Sequence, residues 1–315
     1  MMSIDSKRYN KLPGFMLFLA VLYSPFALAE KTAADSGEYA LKGADTCLKC
    51  HDESPVNNIF QTPHAQRADS RTPFASHDCE TCHGASPDHV KIEPPNKTDK
   101  RNPAQVVFGK KSRNYPVSSA ADQNKACLGC HESGLRMHWR GSQHEVADVP
   151  CSNCHTIHAT KDPVLVKTTQ TDVCFVCHTD KRAQMHRFSR HPIREGKVVC
   201  SNCHNPHGGP GRNLAKNTVN ETCYQCHAEK RGPYLWEHQP VRDNCTNCHD
   251  PHGSTTPRML VHKVPFLCQN CHSTGHAAGL IDSSGPASRT FGRSCITCHS
   301  QVHGSNHPSG ATLTR

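Results

Sequence analysis

Every cysteine in the chain sits in one recurring pentapeptide, Cys-x-x-Cys-His, and none is left over. In chain order, motif 1 is Cys47/Cys50/His51, motif 2 Cys79/Cys82/His83, motif 3 Cys127/Cys130/His131 and motif 4 Cys151/Cys154/His155. Motif 5 is Cys174/Cys177/His178, motif 6 Cys200/Cys203/His204 and motif 7 Cys223/Cys226/His227. Motifs 8, 9 and 10 are Cys245/Cys248/His249, Cys268/Cys271/His272 and Cys295/Cys298/His299. This is the attachment pattern of c-type haem. Cysteines three apart lie on one face of a helical turn, so both sulfurs reach the two vinyl-derived carbons of one porphyrin. The next residue then aims its imidazole at the iron as proximal ligand. Disulfides would suit an even cysteine count in an exported chain, but they do not explain a histidine after every pair. Structural zinc closes with two Cys-x-x-Cys pairs or with a spaced pair of histidines, and does not predict ten identical triplets. The motifs predict ten covalently bound haem c groups.

Of the 25 histidines, the ten in the motifs are proximal. Ten bis-His irons need ten more, and an internal repeat selects them. Three stretches align as a leading histidine, a motif, a histidine just past it and a second motif: His144, Cys151, His158, Cys174; His191, Cys200, His207, Cys223; His238, Cys245, His252, Cys268. Successive leading histidines are 47 residues apart. A looser copy precedes them (His64, Cys79, His89, Cys127) and a half copy ends the chain (His276, Cys295, His303). Motif 1 stands alone at the front. The predicted distal ligands are therefore His64, His89, His144, His158, His191, His207, His238, His252, His276 and His303. His303 is preferred to His307 because His303-Gly304 copies His207-Gly208 and His252-Gly253. His77, His138, His186, His262 and His307 fit no repeat position and read as surface or propionate-bonding side chains. Met137, Met185 and Met259 find no vacant axial position. Which iron each distal histidine serves is open in the sequence. A histidine three residues past a proximal ligand is expected to face a neighbouring haem and brace it.

Hydrophobic residues make up 35% of the chain and aromatics 6%, too little for a conventional core of this length. At one haem per about 29 mature residues, the porphyrins must be the core. The expected fold is a multihaem cytochrome c: mostly irregular, with short α-helices wrapped around a quasi-linear chain of ten haems and little or no β-sheet. The 22 prolines and 20 glycines argue against long elements. Residues 1–29 read as a signal peptide. Lys7, Arg8 and Lys11 precede an apolar run from Phe15 to Leu22, and Ala27-Leu28-Ala29 offers a cleavage site. That leaves residues 30–315 as a single exported decahaem domain, with dihaem repeats clearest from 144 to 275. The longest gap between motifs carries Lys91, Lys97, Lys100, Arg101, Lys110, Lys111 and Arg113. It reads as a solvated or propionate-pairing loop, with a docking loop as the alternative. Trp139 and Trp236 read as packing against porphyrin edges.

Haem enzymes that bind substrate at iron need an open position. Here every motif ends in histidine and the distal supply matches the haem count, so the expectation is electron transfer with no catalytic residue. A soluble periplasmic shuttle and a multihaem reductase with one five-coordinate iron are the rival readings.

Strings beyond the motifs resemble the periplasmic decahaem cytochromes of outer-membrane porin–cytochrome conduits, the MtrA/DmsE family. They are Lys42-Gly43-Ala44-Asp45, Ala147-Asp148-Val149, the run from Cys223 to Pro233, Leu235-Trp236-Glu237-His238 and the end from Ser300 to Gly310. The resemblance implies a bis-His haem wire held in an outer-membrane β-barrel porin sheath. Electrons would pass from a periplasmic or inner-membrane cytochrome donor to an extracellular multihaem cytochrome or a dimethyl sulfoxide-type reductase. It also implies that motif 1 faces the periplasm and motif 10 the exterior.

The formal charge of +9 would suit an anionic partner, but twenty propionates on ten ferric porphyrins bring the mature holoprotein to about −3. The basic residues read as countercharge for propionates, not as a nucleic-acid footprint.

Overall fold

The computed structural model describes residues 38–91, 102–109, 116–211, 214–272 and 294–314. The signal segment 1–29, His276 and the loop residues Lys97, Lys100, Arg101, Lys110, Lys111 and Arg113 lie outside the described residues. Those described belong to the compact unit Gly37–Arg315.

Each motif closes the same local turn. The histidine amide donates to the carbonyl of the first cysteine, four residues back, at 2.9–3.1 Å in all ten copies. The approach to that turn differs between copies. The α-helices are α1 (Ala44–Leu48), α2 (Glu80–His83), α3 (Pro87–Val90), α4 (Ala120–Leu128) and α5 (Gln143–Val146). They continue as α6 (Lys167–Phe175), α7 (Thr179–Gln184), α8 (Val219–Tyr224), α9 (Gln239–Asp243) and α10 (Phe266–Gln269). Motifs 1, 3, 5, 7 and 9 place their first cysteine near the C-terminal end of α1, α4, α6, α8 and α10. Ser119 caps α4 by accepting the Asp122 amide, and Thr218 and Glu221 form a capping box on α8. Motifs 4, 6, 8 and 10 start 3₁₀ turns at Cys151, Cys200, Cys245 and Cys295. The residues before them, Pro150, Val199, Asn244 and Ser294, are extended, so no helix runs in from upstream. Motif 2 instead opens a short α-helix, α2, at Cys79.

Among the described residues there is no β-strand, only isolated bridges such as Ser189 with Ser254 and Trp236 with Ser305. No helix among them is long and apolar enough to cross a membrane. The polypeptide core is small. Ala44, Ile59 and Phe74 form one buried cluster, with Leu48, Ala65 and Cys79 against it.

The repeat is also a docking pattern. Buried side chains three residues before the first cysteine of an odd motif grip the next motif. Asn124 accepts the Cys151 amide at 2.7 Å, and Asn220 accepts the Cys245 amide at 2.8 Å. The glycine after a post-motif histidine makes the second contact. Gly208 and Gly253 lie at positive φ, where a Cβ would fall 2.3 Å from the His138 carbonyl oxygen and 2.4 Å from that of Gln184. Only glycine permits both the conformation and the approach, which is why histidine-glycine recurs.

Candidate haem-binding sites

The structure sets nine of the ten proximal histidines opposite nine of the predicted distal ones. His51 faces His89 with ring centres 6.1 Å apart, His83 faces His158 at 6.3 Å and His131 faces His64 at 6.0 Å. His155 faces His207 at 6.0 Å, His178 faces His144 at 6.1 Å and His204 faces His252 at 5.8 Å. His227 faces His191 at 6.3 Å, His249 faces His303 at 6.2 Å and His272 faces His238 at 6.1 Å. For the tenth, His299, the one predicted distal histidine left over, His276, lies outside the described residues. Metal–nitrogen bonds of roughly 2 Å, plus roughly 1 Å from each coordinating nitrogen to its ring centre, add to about 6 Å for two imidazoles sharing one metal.

Two series run through these pairs. The histidine three residues past motifs 4, 6 and 8, and four past motif 10, reaches back to the proximal histidine of motifs 2, 4, 6 and 8. The brace thus skips one motif. Leading histidines His144, His191 and His238 face motifs 5, 7 and 9. The two series are tied together, because His144 Nδ1 donates to the Pro206 carbonyl at 2.8 Å, His191 Nδ1 to Pro251 at 2.9 Å and His238 Nδ1 to Val302 at 3.0 Å. Each acceptor immediately precedes a post-motif histidine. At the front of the chain His64 faces motif 3, while His89 folds back to motif 1.

These hydrogen bonds also fix the tautomer. A carbonyl only accepts, so Nδ1 carries the proton and Nε2 keeps its lone pair. The same holds for His89 with Asn102 at 2.7 Å, His158 with Val56 at 3.1 Å and the proximal His83, His249 and His299 with Val106, Arg258 and Thr312 at 3.1, 2.9 and 2.7 Å. Burial holds the imidazoles of His64, His83, His131, His252 and His303 below the usual histidine range, and brings His207 down to about 4. Neutral imidazole is the form that binds a metal.

The cysteines add the order of the sites. The pentapeptide makes both cysteines of a motif equivalent attachment points, but the structure separates them. First cysteines meet in pairs: Cys47 lies within hydrogen-bonding reach of Cys79, Cys127 of Cys151, Cys174 of Cys200, Cys223 of Cys245 and Cys268 of Cys295. In the first four pairs this contact raises the pKa of the earlier thiol and lowers that of its partner.

Second cysteines take a different place. Cys50, Cys130, Cys177, Cys226 and Cys271 of the odd motifs are exposed from the polypeptide, as is Cys298 of motif 10, while Cys154 is half-buried. Polypeptide packing thus buries the first sulfur more than the second in the odd motifs and in motif 10, whereas in motifs 2, 4, 6 and 8 both are half-buried. The sulfurs of the even motifs make the remaining links. Burial pushes the Cys82, Cys203 and Cys248 thiols up, and the neighbouring Cys130, Cys226 and Cys271 add to the effect. Cys154 acts on Cys174 in the same way. First cysteines therefore join motif 1 to 2, 3 to 4, 5 to 6, 7 to 8 and 9 to 10, and second cysteines help join 2 to 3, 4 to 5, 6 to 7 and 8 to 9. Motif follows motif in space as in sequence.

The donor set fits haem. Among the described residues no group of three or more His, Cys, Asp or Glu side chains converges on a bare-ion site, whereas zinc takes three or four protein ligands. Two imidazoles on one axis leave the remaining positions to a macrocycle. The buried Trp139 indole N–H has no protein acceptor and its ring lies 6.3 Å from that of His207, a donor suited to an acidic substituent of the cofactor. Trp236 instead donates to the His307 carbonyl at 3.0 Å. His307 Nδ1 is engaged by Ser309 and His77 stacks on Tyr39 at 3.7 Å, so both are occupied locally. Lys91 pairs with Asp88.

The sequence reading did not pick out Asn124, Asn220 or Asp162. Asn124-x-x-Cys127 and Asn220-x-x-Cys223 were a usable signal. Asp162, seven residues past His155, has no counterpart in the other repeats.

A family model described as the doubled CXXCH motif matches residues 144–183, 191–232 and 238–277. Its three matches begin at the three leading histidines. A second, cytochrome c554 and c-prime, matches residues 78–156. The chain is 47% identical to the multiheme cytochrome MtrA of Shewanella baltica over 289 residues, covering 89% of this chain and 83% of that protein. It is 27% identical to the cytochrome c-type protein NrfB of Haemophilus influenzae over 154 residues, 43% of this chain and 65% of that protein.

Proposed function

Since the chain belongs to the MtrA family of multihaem c-type cytochromes, we propose that it carries ten haems, each iron held by two histidines, and conducts electrons through the outer membrane. The coarser statement is the premise: this is an electron-transfer protein with covalently bound c-type haem, not an enzyme. The finer one is carried by the nine imidazole pairs 5.8–6.3 Å apart.

When bound, each haem supplies an iron that takes up and releases one electron. The chain does the rest. Two histidines would hold each iron and leave no position for a substrate. Carbonyl acceptors lock the rings in place before and after transfer, which keeps the geometric change between oxidation states small. Proximity between the sulfurs of consecutive motifs keeps neighbouring haems adjacent, in the order 1 to 10.

The setting is the periplasmic face of the outer membrane, reached by export and loss of residues 1–29, leaving one decahaem domain over 30–315. A polar chain of this composition has no surface that hydrocarbon tolerates, and a closed β-barrel porin satisfies the bilayer around it. Electrons enter near motif 1 from a periplasmic or inner-membrane cytochrome and leave near motif 10 to an extracellular multihaem cytochrome or a dimethyl sulfoxide-type reductase. Affinity capture of the tagged chain from outer membranes, with haem staining and a ferric spectrum, tests this reading. The expected result is ten haems, all low-spin, with a β-barrel co-purifying. Capture without a barrel supports the soluble shuttle, and a high-spin ferric signal supports a reductase.

A further inference from the structure

Motif 4 differs from motifs 2, 8 and 10 in the group that holds its proximal histidine. The Nδ1 atoms of His83, His249 and His299 face backbone carbonyls. His155 Nδ1 lies 2.6 Å from Oδ2 of Asp162. The carboxylate is built in. Asp162 caps the 3₁₀ turn Pro163–Leu165, its Oδ1 accepts the Thr156 amide at 3.2 Å and the Val164 amide at 3.4 Å, and its side chain is only 13% exposed. Two amides and one imidazole N–H thus surround a charge that has little access to water.

We infer that Asp162 sets the potential of one site: acting through His155, it makes the iron held between His155 and His207 harder to reduce than those whose proximal histidines face carbonyls. A carboxylate draws the Nδ1 proton more strongly than a neutral carbonyl does. The imidazole gains electron density, and Nε2 becomes a stronger donor. That donation stabilises the ferric iron, which carries one more positive charge than the ferrous. Partial burial reduces the screening of the effect by water. Asp162 never touches the metal, so it is a positioning residue. Its placement at motif 4 puts a site of lowered potential inside the chain of haems, next to the sites of motifs 3 and 5.

The inference rests on the bis-His reading, and its test separates the two. Holoprotein is compared as wild type, Asp162→Asn, Asp162→Ser, Asp162→Glu and Asp172→Asn in redox titrations followed by visible absorption and EPR. Asp172 is an exposed carboxylate on α6 and controls for loss of charge alone. In Asp162→Asn one one-electron component should shift to higher potential, its ferric-to-ferrous ratio at fixed potential falling at least tenfold, about 59 mV. Asp162→Ser keeps a favoured N-cap residue and should give the same shift, so loss of the turn is not its cause. Asp162→Glu should restore most of the wild-type value, and Asp172→Asn should change nothing. Unaltered titrations in both uncharged variants with full haem content overturn the inference. So does an equal shift in Asp172→Asn. A wild-type protein without low-spin bis-His signals counts against the proposed coordination instead.

Discussion

The odd- and even-numbered motifs share one pentapeptide and one hydrogen-bonded turn, yet the chain treats them differently. Odd motifs end a helix, and their proximal histidines His51, His131, His178, His227 and His272 are exposed from the polypeptide. Motifs 4, 6, 8 and 10 follow extended backbone and motif 2 follows a turn with Asp78 at positive φ, and His83, His155, His204, His249 and His299 are half-buried. The difference comes from the path of the chain beyond each turn. After an even motif the chain folds back over it: the Ala215 amide donates to Cys203 at 2.8 Å, Val261 to Cys248 at 2.9 Å and Gln301 to Leu313 at 2.9 Å. Ring orientation divides in the same way across the regular repeats. The even pairs His155–His207, His204–His252 and His249–His303 lie within 9–13° of parallel, whereas the odd pairs His144–His178, His191–His227 and His238–His272 are tilted by 56, 49 and 24°; the even pair His83–His158, which reaches into the looser front copy, is crossed at 79°. One series is a brace between repeats, and the other hangs from it.

The largest effect should follow removal of residues 294–315. Motif 10 goes with its haem, but so does His303, which faces His249 two motifs earlier. A truncated protein should therefore show one haem fewer and one new high-spin iron inside the remaining chain. A truncation product that stays wholly low-spin would break the skipping brace.

Single replacements sharpen the contrast. His252→Ala and His191→Ala should each convert one iron to high spin, seen as a charge-transfer band and a high-spin ferric EPR signal. The low-spin signal that each loses should differ, since the His204–His252 rings are near-parallel and the His191–His227 rings are tilted. Identical difference spectra would mean that the two series are not distinct in the folded protein.

A smaller effect is expected at the joint between the series. Asn220 donates to the carbonyls of Val241 and Arg242, both at 3.0 Å, while accepting the Cys245 amide. Asn220→Ala leaves buried groups unpaired and should cost about 2 kcal/mol, read as a lower Tm with haem content unchanged. The exposed Asn247, with one bond to Pro240 at 3.0 Å, is the comparison. Asn247→Ala should cost at most about 0.5 kcal/mol. Equal costs would remove the helix-to-turn joint as a structural device.

Much of this was legible in the residues. The ten triplets, the 47-residue step, the shortage of apolar side chains and the preference for His303-Gly304 all lie in the chain order. They carry the cofactor class, the irregular fold and the set of histidines that the structure then brings together. The family models agree, since their doubled-motif matches begin at His144, His191 and His238. The post-motif histidine was expected to brace a neighbouring haem. The structure directs it one motif further, because the return loop after an even motif docks on the previous repeat through Gly208 or Gly253. No local pattern records that reach.

The sequence by itself therefore determined the chemistry, since attachment and ligation depend on residue type and on spacing within a single turn. Tertiary structure alone decided the partnership: which imidazole faces which, which sulfurs are covered, and that His155 meets a carboxylate where its counterparts His83, His249 and His299 meet carbonyls. The physical reason is range. A motif is closed by one hydrogen bond across four residues, whereas His249 finds His303, and His144 finds Pro206, only after the chain has packed repeat against repeat.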